Sequence, residues 1–135
     1  MHTFKLTADP DWVVRDDGLR CQVELSNYQD FLASGGVPLP ADPPSPTEII
    51  AALTAALERH YDLTASTRRY DNRYTCALRA GYPGPFHAEG SAFATWMDAC
   101  NALGYQIMAA VQAGTHPMPT EESLIAEMPP MVWPE

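Results

Sequence analysis

The stretch RAGYPGPFHAEGSAFATW, Arg79 to Trp96, crowds three glycines, two prolines, a His-x-Glu and several large aromatics into 18 residues. It reads either as an active-site loop or as the corner where one helix stops and the next begins. The periodicity on its C-terminal side favours the corner. From Phe86, apolar or small residues recur at Gly90, Phe93, Met97, Cys100, Gly104, Ile107 and Val111, in alternating steps of four and three. That is the heptad-like seam of a helix laying one face on a neighbour. Trp96, Ala99, Leu103 and Ala110 widen it. Pro85 suits a first helical position and Gly114 a stop, so the spacing predicts a helix over 85–113, on the order of 40 Å long.

Before the corner, Ile50, Leu53, Leu57 and Tyr61 recur at helical spacing. Ser45-Pro46-Thr47-Glu48 superposes a Ser-x-x-Glu capping box on a proline at the first helical position. The stripe resumes at Tyr70, Tyr74 and Ala77 or Leu78, which predicts one helix to about Leu78, kinked near Thr64 to Thr67 by β-branched and short polar residues. Gly81 ends it and Tyr82-Pro83-Gly84-Pro85 turns the chain, so the second helix returns antiparallel along the first.

Towards the N-terminus, TFKL and WVVRDDGLRCQVEL are short apolar runs, and Asp16-Asp17-Gly18 signals a β-hairpin turn. SNYQDFLASGG offers Ser26 or Asn27 as N-cap, Tyr28, Phe31 and Leu32 on one face, and Gly35-Gly36 as the stop of a short helix. Five prolines between Pro38 and Pro46 predict a stiff, extended linker that can enter neither a helix nor a sheet interior. The expected class is α+β, mainly α. A hairpin-and-helix module (1–36) and a proline-rich linker (37–46) precede a long antiparallel helical hairpin (47–114), with a short helix and proline-rich tail (115–135) at the end.

Composition narrows the function classes. With 135 residues the chain fits one domain with a modest core. Three cysteines with no Cys-x-x-Cys spacing point to a reduced, intracellular site of synthesis. No signal-peptide core is present, and no apolar run approaches the roughly 18 residues of a membrane span, so no membrane partner is expected. A formal charge of −9 repels phosphates. The cluster Arg59, Arg68, Arg69, Arg73 and Arg79 is interrupted by Asp62 and Asp71. It reads as a solvated face, or as partners for acidic groups, before it reads as a nucleic-acid patch.

Catalytic signals are thin. His87-x-Glu89 echoes the zinc deaminases, but their Pro-Cys-x-x-Cys half is missing and Cys100 stands alone. The four histidines lack paired metal-ligand spacing, Gly81, Gly84 and Gly90 form no phosphate loop, and Ser91 lies in no nucleophile motif. Glu121 and Glu122 follow Thr120 in the first turn of a short final helix, where the helix dipole favours them. No catalytic, metal or cofactor residue is assigned. Interaction residues are: Tyr70, Tyr74, Phe86, Phe93, Trp96 and Met97 form the expected contact set, with Trp133, which the tail cannot bury locally, docking on a partner subunit or on the chain's own hairpin. The length of the seam predicts self-association.

Two segments carry a resemblance. NYQDFLASGGVPLPADPP (Asn27 to Pro44) and RRYDNRYTCALRAGYPGPFHAEGSAFATWMDAC (Arg68 to Cys100) resemble a domain of unknown function in tailed-phage and prophage proteins encoded beside tail-fibre genes. Tyr70-Asp71, Pro85-Phe86, Glu89-Gly90 with a following aromatic, and Trp96 carry the likeness, and PMPTEESL (Pro117 to Leu124) is similar to that family's closing segment. The chain departs from it at Gly36, where Asn is common, and at Met97, where Arg is usual. The resemblance implies a non-enzymatic structural protein of the tail fibre or baseplate. It would be synthesised in the host cytoplasm and carried in the virion tail as a homo-oligomer, with a trimeric helical bundle favoured because such fibres are commonly trimers. A tail-fibre assembly chaperone, absent from the finished particle, is the alternative. An enzyme using His87 and Glu89 is the reading from another class.

Overall fold

A computed structural model describes all 135 residues, which divide into two compact units, Met1–Ser45 and Pro46–Glu135. In the first unit, β1 (Phe4–Leu6), β2 (Trp12–Arg15) and β3 (Arg20–Gln22) form an antiparallel sheet in chain order. The expected hairpin is β2–β3, with Val13 opposite Cys21 and the turn closed by Gly18 at φ +85°. Leu19 N–H donates to the Asp17 carboxylate at 3.2 Å, and Arg15 forks onto it from the strand. These donors hold the Asp17 carboxyl well below the usual range. The run TFKL adds β1 as a third strand, with Leu6 opposite Val13.

Helix α1 (Ser26–Ala33) lays Tyr28 and Phe31 against Phe4, Val13 and Cys21. The Phe4 ring centroid is 5.2 Å from Tyr28 and 5.1 Å from Phe31, within the range in which aromatic pairs attract. The N-cap is Leu25, with no side-chain bond, in place of the expected Ser26 or Asn27. The stop is as read: Gly35 N–H donates to Leu32 O and Gly36 N–H to Phe31 O, the Schellman pattern, with Gly35 at φ +85°.

The proline-rich segment is less detached than its composition implies. Leu39, between Pro38 and Pro40, keeps its N–H and donates it to Phe4 O at 2.9 Å, while its carbonyl accepts from Leu6 N–H at 2.9 Å. Leu39 thereby caps the open edge of β1 through a parallel bridge. Prolines on either side forbid a longer strand.

The second unit begins with α2 (Pro46–Ser66), which has Pro46 as its first residue. The helix does not continue, kinked, to Leu78. It ends twelve residues earlier, and Arg69 takes a left-handed φ of +67°. Local chemistry explains the break. The hydroxyls of Thr64, Ser66 and Thr67 bond carbonyls three or four residues back, competing with helix continuation. A new start follows at Asn72, whose Oδ1 accepts from Tyr74 and Thr75 N–H while Thr75 Oγ1 accepts from Asn72 N–H. This capping box opens α3 (Arg73–Ala77), which tightens into a 3₁₀ turn, Leu78–Gly81.

After the Pro-Gly-Pro corner, α4 runs unbroken from His87 to Gln112, with Phe86 as N-cap. It closes on Gly114 at φ +77°, with Thr115 N–H to Ala110 O and Gly114 N–H to Val111 O. Helix α5 (Glu121–Glu127) starts from a Thr120–Ser123 capping box. The core joins Tyr61 and Ala65 of α2, Cys76 of α3, Phe93, Trp96, Cys100 and Ile107 of α4, Leu124 of α5, and Met128.

Candidate functional site

The two long helices run antiparallel, since Tyr61 meets Asn101 and, one turn earlier on α2, Leu57 meets Gly104, nearly one turn later on α4. They are not equally close along their length. Helix α4 packs most tightly on α3 and the 3₁₀ turn, whereas α2 makes its close backbone contacts with α3 and α5. At Gly90 the approach is so tight that a Cβ would lie 2.6 Å from Arg79 Cβ, 2.7 Å from Ala80 N and 2.8 Å from Cys76 O. Further along, at Gly104, the nearest atom a Cβ would meet is Leu57 Cδ1 at 3.6 Å, an ordinary contact.

That divergence leaves an open groove of about 460 Å³. Its α2 wall includes Ile50, Leu53 and Leu57, its α4 wall Met97, Ile107, Met108 and Val111, and Met118, Pro119 and Leu124 close one side. Tyr74 and Tyr105 stand at its rim, 68% and 72% exposed. The polar end is already satisfied within the chain. Tyr61 OH donates to Asn101 Oδ1 at 2.8 Å, and burial pushes its phenol up to about 12. Arg73 lies 2.9 Å from Asp62 and 3.7 Å from Glu58, with its guanidinium over the Tyr74 ring. What remains open to a partner is mostly apolar surface, including methionine, which adapts its shape readily.

The expected contact residues divide between core and surface. Phe93 and Trp96 are 0% and 7% exposed, so they cannot present a face to a partner without opening the core. The reason lies in the tail. Trp96 Nε1–H donates to Pro129 O at 2.7 Å, and Trp133 stacks on Phe93 at 5.8 Å and 8°. Trp133 therefore docks on its own helical unit, with Arg68 over its outer face at 5.3 Å. Tyr70 is half-buried against the core, and Phe86 is half-exposed beneath Arg79. Tyr74 and Met97 are the two members of the set that line the groove. Residue spacing does not single out Tyr105, Met108 and Met118, although the run from Ala99 to Thr120, free of Lys, Arg, Asp and Glu, is visible in the sequence.

The arginines are mostly engaged within the chain. Arg59 reaches Glu121 at 3.2 Å, Arg68 lies 4.0 Å from Glu89, Arg73 pairs as above, and Arg79 donates to Tyr82 OH at 2.5 Å. His87 and Glu89 do not converge: the His87 ring contacts Tyr82 O at 3.0 Å and Ser91 Oγ at 3.4 Å, while Glu89 is the partner of Arg68. No cluster of three or more His, Cys, Asp or Glu side chains is placed to hold a metal ion. All three cysteines are buried and unpaired, and burial pushes the Cys76 and Cys100 thiols up to about 11, where they stay protonated at neutral pH. No helix is long and apolar enough to cross a membrane. Compared with models of protein families, with curated proteins and with solved structures, the chain finds no match.

Proposed function

We propose that the chain is a non-enzymatic structural protein of a phage tail, associated with the tail fibre or baseplate and acting through helical protein–protein contacts. The observation that supports this reading best is the groove. It is a mostly apolar depression on a helical scaffold, its charged residues Glu58 and Arg73 paired with each other, rimmed by exposed Tyr74 and Tyr105. Apolar surface of this kind marks a contact site, and tyrosine is enriched at such contacts because its ring buries while its hydroxyl stays wet. The resemblance of Asn27 to Pro44 and Arg68 to Cys100 to proteins encoded beside tail-fibre genes supplies the assembly.

A fibre-assembly chaperone is the second reading, and Met97, Met108 and Met118 favour it. Three flexible thioethers around one groove suit a surface that repacks against a transient client. Mass spectrometry of purified virions separates the two. A structural subunit is present in stoichiometric amount, whereas a chaperone is in the lysate and missing from the particle. Pull-down of co-expressed tail proteins tests the contact role common to both: retention of none of them by the wild-type chain sinks both readings.

A further inference from the structure

We infer that the groove is closed by a second copy of this chain, the same apolar face of each copy covering the other's. This rests on the reading of the groove as a protein contact and is independent of the phage assignment.

Charge supports it first. Each chain carries a formal −9, so two copies repel wherever their acidic faces meet. The groove wall adds little to that repulsion. Ile49 to Leu57 on α2 contains no charged side chain, and neither does Ala99 to Thr120 through the second half of α4 and the loop beyond, His116 apart. The charged residues lining the groove, Glu58 and Arg73, neutralise each other at its far end. A strongly basic partner would find only Glu58, already paired with Arg73, and another copy of the same face meets no unpaired like charge.

Shape supports it second. The patch carries both a ridge and a furrow. Ile50, Tyr105, Met108 and Met118 project, while Leu53, Leu57, Ile107 and Leu124 form the floor. Gly104 leaves the α4 wall without a side chain, which lets a second helix approach closely. A surface that holds its own complement is what a two-fold, isologous contact requires, and two-fold pairs are the commonest closed assemblies. A trimer would need two different complementary patches on each copy.

Sedimentation equilibrium of the full chain tests the proposal. The expected result is a pair at micromolar concentration whose dissociation constant falls as salt is raised, because added ions screen the repulsion between the two acidic chains. Tyr105→Glu and Met108→Glu, both at exposed positions where folding tolerates the change, are expected to weaken the pair about 100-fold or more, since each puts two unpaired carboxylates into the apolar contact. Leu63→Glu, exposed on α2 outside the groove, is expected to leave the pair intact. Circular dichroism confirms that each variant is folded. A monomer at all concentrations, a trimer, or a pair indifferent to both groove substitutions overturns the inference. A monomeric wild type that still retains a tail protein, and loses it on Tyr105→Glu, overturns the second copy while leaving the tail reading standing. A pair that retains no tail protein does the reverse.

Discussion

Gly90 and Gly104 sit on one seam of one helix, yet they meet opposite surroundings. At Gly90 the backbone of α3 and the 3₁₀ turn presses so close that no side chain fits. At Gly104 the facing helix has drawn back to ordinary contact and a groove opens. The seam repeats with the same period at both ends, so periodicity does not decide burial. What differs is the neighbour. The first half of α4 faces a short helix and a tight turn delivered by the break after Ser66, with the tail folded over the other side. The second half faces α2 alone at its start, with α5 closing only one flank. A helical seam is therefore a capacity for contact, and the connecting segments determine how much of it the chain itself uses.

The largest expected effect comes from opening the closed half. Trp96 packs against His60, Tyr61 and Phe93 with ring centroids 5.4 to 5.5 Å away, and its N–H is bonded to Pro129 O. Trp96→Ala removes the indole and releases the tail, and is expected to cost about 3–5 kcal/mol in chemical denaturation. Tail release gives the same variant a second readout, since Trp133 loses its stacked seat on Phe93 and its fluorescence should shift to the red. A midpoint unchanged by the substitution would mean that the closed half is held by something other than this ring.

Glycine substitution turns the contrast between the halves into a difference of sign. Gly90→Ala places a methyl group against backbone atoms that cannot swing aside, and overpacking of this kind costs about 1–3 kcal/mol. Gly104→Ala meets Leu57 Cδ1 at van der Waals distance and gains the helix preference of alanine, so the dilute chain should be stabilised by up to about 1 kcal/mol. Both are read from denaturant midpoints. Effects of the same sign at the two sites would show that the halves are packed alike.

Much of this architecture is legible in the sequence wherever one residue type has one physical use. Gly35 and Gly114 mark helix ends because both need positive φ, Asp17-Gly18 marks the hairpin turn, and Pro46 opens α2. The break between α2 and α3 was concealed because Tyr70 and Tyr74 continue the helical spacing across it. Asn72-x-x-Thr75, a capping box in its own right, was the local signal to the contrary. Leu39 at the edge of β1 and Trp133 on Phe93 depend on segments far apart in the chain, which no local pattern encodes. The contact set suffered for the same reason. Spacing alone does not separate a core aromatic from a partner-binding one: the tail buries Phe93 and Trp96, while Tyr105 and Met118, which no seam position marks, are exposed.

The smallest effect contrasts two histidines, one in each half. Burial beside Trp96 lowers the pKa of His60 below its ordinary 6.5. Unfolding then takes up a proton, so its contribution is whole above 6.5 and is lost as the pH falls through the lowered value. His116, in the loop after α4, is raised instead, by the Pro117 carbonyl at 2.6 Å and by both oxygens of Glu127 at 3.0 and 3.1 Å. Here folding takes up the proton, and the contribution is whole below 6.5 and is lost as the pH rises through the raised value. His60→Gln should therefore flatten the acid side of a melting-temperature profile, and His116→Gln the side above 6.5. Glu127→Gln should reproduce part of the second change and none of the first, because one of the two causes at His116 is its carboxylate and no carboxylate acts on His60. A Glu127→Gln profile that moves on the acid side would mean that the two halves of the helical unit titrate as one.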